Sequence, residues 1–137
     1  MPEIIEDEPV FVFGSNELGQ HGGGAARVAK DKFGAIYGQG FGPQGNTFGI
    51  PTCSKPTGQP NSEIELKKLT FYIECFKLWA GQFEPNKPFK VTQIGCGLAG
   101  WTKEEIAPLF ISAPSNCSFD TEWESILGEN VKYWGHV

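Results

Sequence analysis

Three consecutive glycines, residues 22–24, stand between a short apolar segment and an alanine-rich segment near the start of the chain. The apolar segment is residues 10–13, a polar stretch from Ser15 to His21 follows it, and residues 25–33 follow the glycines. Clustered glycines let backbone N–H groups approach a ligand, and a helix N-terminus carries roughly half a positive charge. The arrangement predicts a phosphate or diphosphate site, with a flexible turn that binds nothing as the alternative. It is not a P-loop, because no Gly-Lys-Ser/Thr follows.

A second glycine loop, residues 95–100, has the sequence Gly-Cys-Gly-Leu-Ala-Gly and matches the GxGxxG pattern of dinucleotide-binding folds. A predicted strand precedes it, and Asp120 stands about where such folds place the acidic residue that binds ribose. The next helix, however, is predicted to begin after Thr102 with its own N-cap, so Gly100 does not open it. Residues 101–137 are also too few for a second mononucleotide-binding half. Both features weaken the dinucleotide interpretation, and a dinucleotide-dependent oxidoreductase is kept as an alternative function of this loop.

Four side chains in or beside these loops have a chemical and a structural interpretation. His21 could be an acid, a base or a phosphate contact, or an ordinary loop histidine. Asn16 could orient a ligand hydroxyl or hold a turn, and the turn is favoured from the residue alone. Cys96 could be reactive, although a small buried side chain is the favoured interpretation. Trp101 could stack on a base or ribose, or belong to the core.

Composition and charge limit the classes of function. The 137 residues fit one domain, and 11 Lys plus Arg against 16 Asp plus Glu give a net charge of −5. Binding of duplex DNA through its phosphates is therefore disfavoured, whereas backbone amides could still bind a small anion. Residues 1–9 have no apolar stretch of a signal peptide, and no apolar run approaches the ~20 residues of a membrane helix, so we expect no membrane partner.

The cysteines indicate a reducing environment. They form no CxxC pair, and with two histidines they lack the spacing of a metal site, so we expect no metal. We predict four free thiols in a cytoplasmic protein. The cysteines are Cys53, Cys75, Cys96 and Cys117.

Strands and helices alternate along the chain and must position the two glycine loops. Strands are predicted at 10–13, 47–50, 89–94 and 116–119, and helices at 25–33, 63–80 and 103–111. Gly34 should end the first helix and Pro51 the second strand, and Ser62 and Thr102 should open the other helices as capping boxes with Glu three residues later. The order predicts one α/β domain over residues 1–137 with a largely parallel sheet. Ligands of such sheets bind at the carboxyl ends of the strands.

The two loops together resemble the macro-domain family. Residues 11–16, residues 21–26 and Gly34 resemble its strand, asparagine, glycine triplet and alanine-rich helix ending in glycine. Residues 91–101 look like the Ile-Gly-Cys-Gly-Leu segment of the branch that includes the terminal ADP-ribose protein glycohydrolase and many bacterial and phage relatives. The resemblance spans about residues 10–119.

This resemblance implies a three-layer α/β/α fold with a mixed, largely parallel central sheet. It implies ADP-ribose or a related nucleotide diphosphate as ligand, with no cofactor, and an ADP-ribosylated macromolecule as a candidate partner. In a catalytic version, Asn16 and His21 would take part in hydrolysing an ADP-ribosyl bond on a protein or nucleotide. The implied ligand-binding residues are Ser15, Asn16, Gly22, Gly23, Gly24, Ala25, Gly95, Cys96, Gly97, Leu98, Ala99, Gly100 and Trp101.

Several positions depart from the family pattern. Ala99 stands where the glycohydrolase branch has an aspartate, and Cys53 stands near its lysine position, with Lys55 the nearest lysine. We expect no counterpart of the strand that carries the adenine-reading aspartate of many macro domains, and only Asp7 is near its place. We therefore expect ligand binding with weak hydrolysis at most. The alternatives are an oxidoreductase-type module that uses residues 95–100, and a bacterial or phage interaction module without a ligand.

Overall fold

One six-stranded sheet organises the protein. The computed structural model describes residues 8–21, 23–97 and 99–136. The strands are β1 (Val10–Asn16), β2 (Gly42–Gln44), β3 (Thr47–Cys53), β4 (Phe89–Val91), β5 (Cys117–Asp120) and β6 (Lys132–Gly135). Their order in the sheet is β2-β3-β1-β4-β5-β6, and every neighbouring pair is parallel except β2 with β3. The prediction of an α/β chain with a largely parallel sheet is confirmed.

Four α-helices connect the strands in the described part of the chain: α1 (Gly24–Val28), α2 (Leu66–Leu78), α3 (Lys103–Ile106) and α4 (Glu124–Leu127). The first two continue into single π-helical turns, Ala29–Phe33 and Trp79–Phe83, and α3 continues into a 3-10 turn. Gly34 follows the first π turn with a φ of 90°, so it ends this helical segment as predicted.

The two predicted capping boxes have different outcomes. At Thr102 the box is confirmed, because its Oγ1 accepts from the N–H of Glu105 at 3.2 Å and the Glu105 carboxylate accepts from the N–H of Thr102 at 2.9 Å. At Ser62 the prediction is wrong, since α2 begins only at Leu66. The reason is tertiary: the carbonyl of Ser62 accepts from the N–H of Ser54 at 2.7 Å, which ties this segment to the end of β3.

Strand boundaries also differ from the prediction. The third strand in chain order, β3, passes through Pro51 instead of stopping there, and Pro51 pairs with Ser15 of β1. Among the described strands, only β2 pairs with the outer edge of β3, and it pairs only with Thr47–Gly49. A residue without an N–H is tolerated on such an edge. The predicted strand 89–94 is shorter in the structure, because the chain turns where the N–H of Ile94 donates to the carbonyl of Thr92 at 2.7 Å.

The core lies on both sides of the sheet, with α1 on one face and α2 and α3 on the other. Alternate residues of β1 show this arrangement, since Val12 joins the large cluster with α2 and α3. Phe11 and Phe13 join a small cluster with Ala26 and Ala29 of the α1 segment. The arrangement is compatible with a three-layer α/β/α fold. We call the two sides the α1 face and the α2 face.

The order of connections places a topological switch point between β1 and β4. From β1 the chain crosses through α1 to β3 on one side, and from β4 it crosses through α3 to β5 on the other. Loops that leave adjacent parallel strands in opposite directions open a crevice at the carboxyl ends of those strands, where ligands of such folds bind. Both predicted glycine loops leave these two strands.

One outer edge of the sheet is blocked by a side chain. The Nε2 group of Gln39 donates to the carbonyls of Phe41 and Pro43, at 3.1 and 3.0 Å. Alternate carbonyls of a strand point to the same side, and Pro43 has no N–H. Gln39 therefore occupies hydrogen-bonding positions that an additional strand beside β2 would need.

Candidate functional site

A cleft of about 610 Å³ opens at the carboxyl ends of β1, β3 and β4. This volume lies within the usual range of small-molecule sites. Its position is the switch point between β1 and β4, with the start of α1 and the loop after β4 as walls. The lining residues are Gly14, Ser15, Asn16, Gln20, Gly23, Gly24, Ala25, Ala26, Tyr37, Thr52, Cys53, Pro56, Thr57, Gln59, Thr92, Gln93, Ile94, Gly95, Gly97 and Ala99.

The first glycine loop reaches the cleft through Gly23, Gly24 and Ala25. Gly23 is extended, with a φ of −159°, so any residue can adopt its backbone conformation. Gly24 has a φ of +56°, in the left-handed region that favours glycine, and a Cβ there would meet nothing within 4 Å. Gly22 lies outside the described residues.

The second glycine loop lines the cleft with Gly95, Gly97 and Ala99. Gly95 has a φ of +73°, and a Cβ on it would lie 3.0 Å from Cδ1 of Trp101. Gly97 is different, because its φ is not left-handed and a Cβ on it would meet nothing within 4 Å. Gly100 does not line the cleft, and Leu98 lies outside the described residues.

Trp101 supports the loop and does not line the cleft. Its Nε1 donates to the carbonyl of Thr52 at 2.9 Å, which links the loop after β4 to the end of β3. The half-buried ring also packs against the core on the α2 face. In this position the core interpretation of Trp101 holds, and stacking on a ligand would need the ring to move.

Asn16 and Ser15 combine a structural role with a place in the cleft wall. The Asn16 side chain is buried, its Oδ1 accepts from the N–H of Gln20 at 3.1 Å, and its Nδ2 donates to the carbonyl of Gln20 at 3.0 Å. One N–H and one lone pair of the amide remain for a ligand. Ser15 donates its hydroxyl to the carbonyl of Gly40. A Cβ on Gly40 would collide with the carbonyl of Asn16, so glycine is required where these loops meet.

His21 lies behind the cleft rather than in its wall. Its side chain is 2% exposed and meets Phe13 edge-on, with ring centroids 5.3 Å apart. Both ring nitrogens lack a hydrogen-bond partner of normal geometry among the described residues. Burial lowers the pKa of His21, the nearby backbone of Gln39 opposes this shift, and the charge of Lys30 adds to it. The ring is therefore neutral near pH 7 and, in this conformation, does not reach a ligand in the cleft.

The two thiols near the cleft are poor nucleophiles in this structure. Cys53 lines the cleft but is buried, and burial, together with the charge of Glu17, raises the pKa of its thiol. Burial raises the pKa of Cys96 to about 11, with a contribution from Glu104 and Glu105, and Cys96 does not line the cleft. A thiol that stays protonated at neutral pH does not attack efficiently. All four cysteines have free thiols.

A polar cluster fixes the loop after β1 to α2. The carboxylate of Glu17 accepts from the Tyr72 hydroxyl at 2.5 Å and pairs with the Lys68 ammonium at 2.6 Å. Burial alone would raise the pKa of Glu17, but the hydrogen bonds from Lys68 and Tyr72 lower it. The N–H of Glu17 also donates to the carbonyl of Cys53 at 3.0 Å. The side-chain cluster thus ties the residue after β1 to α2, and the backbone hydrogen bond ties it to the end of β3.

None of the described residues that line the cleft carries a charged side chain. The hydrogen-bonding groups are backbone N–H groups, amides and hydroxyls. The first N–H groups of α1 have no acceptor within the helix, and those of Gly97 and Ala99 donate to no backbone carbonyl of the described chain. The walls of the cleft therefore contain backbone N–H groups that have no backbone acceptor among the described residues, and such groups bind small anions in other proteins.

Asp120, the acidic residue that the dinucleotide interpretation of residues 95–100 requires, does not lie in the cleft. Asp120 ends β5, but its carboxylate accepts from the N–H of Glu122 at 2.8 Å and contacts Nδ1 of His136 at 3.0 Å. The side chain is 3% exposed and does not line the cleft. A carboxylate engaged in this way is not positioned to bind a ribose in the cleft.

Several cleft residues were not predicted from the sequence, among them the exposed Tyr37 and Gln59. Both come from loops whose course depends on tertiary packing, so no local signal marks them. Thr52 and Gln93 had a weak signal. Thr52 lies just after the predicted strand 47–50 and Gln93 near the end of the predicted strand 89–94, and the carboxyl ends of such strands should meet at the site.

Comparisons with protein-family models, with curated protein sequences and with solved structures found no match to this chain. Within the described ranges, no three His, Cys, Asp or Glu side chains are grouped so that they could hold a metal ion. No helix in those ranges has both the length and the apolar character needed to cross a membrane.

Proposed function

We propose that the cleft binds ADP-ribose or a related nucleotide diphosphate, and that the fold is of the macro-domain type. The observation that carries this proposal is the convergence of two glycine loops on one cleft, which they line with residues 23–25 and with Gly95, Gly97 and Ala99. They are far apart in sequence and leave adjacent parallel strands, yet both contribute backbone to the same walls. The loops are also the two segments on which the resemblance to macro domains rests.

Backbone chemistry supports a diphosphate as the central group of the ligand. Oriented N–H groups bind phosphate oxygens without a positive side chain, and glycine allows the closest approach. Gly24 and Gly97 leave open space where any other residue would place a Cβ. Since no charged side chain lines the described cleft, affinity for ADP-ribose should change little between low and high salt.

The side chains that line the cleft favour ligand binding over catalysis. The only titratable side chains among the described lining residues are Cys53 and Tyr37, and burial keeps the thiol of Cys53 protonated. Ala99, in the loop where the resemblance would place an aspartate, can neither accept a proton nor attack a carbon. Hydrolysis of an ADP-ribosyl bond would then depend on the orientation of ribose and water by neutral groups such as Asn16, so we expect it to be slow.

Thermal unfolding and calorimetry with ADP-ribose, ADP, AMP and NAD test the proposal. A ligand at 100 times its Kd stabilises a folded protein by about 2.7 kcal/mol, which raises Tm by several degrees in a domain of this size. ADP-ribose should stabilise the protein more than AMP does. No shift at millimolar ADP-ribose would exclude the proposed ligand, and a preference for NAD over ADP-ribose would favour the dinucleotide interpretation.

A further inference from the structure

Helix α2 carries apolar side chains on the side that faces solvent as well as on the side that faces the core. Leu69, Ile73 and Phe76 are buried in the core on the α2 face. Phe71 and Leu78, on the opposite side of the helix, are 64% and 55% exposed. They are seven residues apart, which is nearly two full turns, so they lie in line along the helix. A surface helix normally has polar residues on this side, so the apolar stripe is an exception that needs an explanation.

An apolar groove lies beside this stripe. It has a volume of about 460 Å³ and runs between α2 with its π turn on one side and β2 and β3 on the other. Phe83, in the π turn, is 68% exposed and stacks on Trp79 with ring centroids 5.3 Å apart. None of the described residues that line the groove carries a charged side chain. We call the stripe and the groove together the α2 patch, and its residues are Pro43, Phe71, Cys75, Leu78, Trp79 and Phe83.

The apolar area of the α2 patch reaches what a stable dimer needs. A phenylalanine buries about 150–250 Å² when it is enclosed, so at their exposed fractions Phe71 and Phe83 together present roughly 250 Å² to solvent. Leu78 and the groove walls raise this to about 400 Å², which is typical of the largest patch on a monomer. Two such patches in contact bury about 800 Å² of apolar area. Because homodimer interfaces are about 65% apolar, the whole interface would measure about 1,200 Å², the lower limit of a stable one.

We propose that the α2 patch binds a second copy of this chain, with the two α2 helices packed antiparallel. The twofold axis of this pair passes between Glu74 and Cys75, midway between Phe71 and Leu78 in the sequence. Each Phe71 then meets Leu78 of the second copy, so one patch supplies both halves of the contact, as a twofold interface requires. Glu74 beside the axis pairs with the Lys77 ammonium at 2.8 Å, which balances its charge within its own helix. An uncharged patch offers nothing to a nucleic acid or an acidic peptide.

Strand addition at β2 is the other way in which two copies could pair through this part of the molecule, and it is obstructed. Gln39 already donates to the carbonyls of Phe41 and Pro43 on the outer edge of β2. The contact is therefore made by side chains of the α2 patch. Since α2 leads from the carboxyl end of β3 to the start of β4, its last turns lie at the amino ends of the strands. The cleft lies at the carboxyl ends, so a dimer of this kind leaves it open.

Sedimentation equilibrium of the full chain, up to about 200 µM, tests the proposal. We expect a reversible dimer with a Kd on the order of 10 µM, because the interface is at the lower limit of size. The variant Phe71→Glu/Leu78→Glu, with folding checked by Tm, should raise this Kd at least tenfold. The matched control is Val28→Glu/Ile36→Glu, which changes two residues that are 39% and 53% exposed outside the patch. It should change the Kd less than twofold.

Cysteine cross-linking tests the antiparallel arrangement. With helix axes 8–10 Å apart, the Cα atoms of the two Cys75 residues beside the axis are about 6 Å apart, which is within the range of a disulfide. The oxidant diamide, which takes up the two thiol hydrogens as the S–S bond forms, should therefore produce a covalently linked dimer. Cys75→Ser should abolish the link, and Phe71→Glu/Leu78→Glu should slow its formation at least tenfold.

Several results would overturn the proposal: a chain that stays monomeric at 200 µM, an equal loss of dimer in the control variant, or a dimer without the Cys75 link. Residues 1–7 include two isoleucines and are the rival occupant of the patch. Ile4→Ser/Ile5→Ser should leave the Kd of the dimer unchanged, and a tenfold tighter dimer in this variant would also overturn the proposal. Affinity for ADP-ribose should be the same in all these variants, so this inference and the proposed function fail separately.

Discussion

Replacement of Gly97 by valine tests whether this residue contacts the ligand, because the substitution should not disturb the fold. The φ of Gly97 is not left-handed, the residue is exposed, and a Cβ there would meet nothing within 4 Å. The free energy of unfolding should therefore change by no more than about 0.5 kcal/mol, the usual range for surface substitutions. The added side chain stands where N–H groups should meet a phosphate. We expect affinity for ADP-ribose to fall at least tenfold, which corresponds to about 1.4 kcal/mol.

The control is Gly128→Ala, which should lower the stability of the fold and leave the affinity for ADP-ribose unchanged. Gly128 has a φ of +79° with nothing within 4 Å of a Cβ, and it does not line the cleft. Backbone strain alone should cost about 1–2 kcal/mol and lower Tm by several degrees without changing affinity. Thermal unfolding and calorimetry measure both quantities on the same samples. If Gly97→Val folds normally and binds ADP-ribose as tightly as the unmodified chain, the loop after β4 does not contact the ligand.

Three further predictions concern reactivity and pH. Ala99→Asp should raise the slow release of ADP-ribose from a glutamate-modified protein, if the loop has the geometry of the glycohydrolase branch; an unchanged rate would refute that geometry. The two histidines should affect stability in opposite directions. Because burial lowers the pKa of His21, its contribution is present above pH 6.5 and lost as pH falls below it, so His21→Gln should reduce acid destabilisation. The hydrogen bond with Asp120 raises the pKa of His136. Its contribution to the free energy of unfolding is therefore present below pH 6.5 and lost as pH rises through the higher folded pKa. His136→Gln should remove the increase in stability that accompanies acidification. Equal pH profiles for the two variants would contradict both assignments. Thiol titration of the denatured, unreduced chain should find four reactive groups, and two would show a disulfide.

The residue types within a segment predicted the strand and helix on either side of the first glycine loop. They did not predict elements that depend on contacts with distant parts of the chain. The apolar run ending at Phe13 and the stop at Gly34 are properties of the segment itself, and both are found. The strand β2 has only three residues, with a glycine at a φ of +101° and a proline, so nothing local distinguishes it from a loop. It exists because β3 provides a partner. The failed capping box at Ser62 has the same cause, since a contact with Ser54 overrides the local preference.

The candidate site was predictable in its backbone and not in its side chains. The glycines at 23–24 and 95–97 follow strands, and the parallel sheet brings strand ends together. Whether a side chain in such a loop faces the cleft depends on small rotations of the loop. His21 turns inward to meet Phe13, and Trp101 turns to meet Thr52, whereas Tyr37 reaches the cleft from a segment with no signal. The glycines of these loops therefore predicted where the candidate cleft lies, but not which side chains line it.

The hydrogen bonds from Gln39 to the edge of β2 bear on behaviour at high protein concentration. An exposed edge strand is a template on which further chains can add, and such growth leads to aggregates. With the carbonyls of Phe41 and Pro43 already occupied, a second molecule that approaches this edge must first displace the amide of Gln39. The same amide that closes a local turn thus helps the chain to stay dispersed.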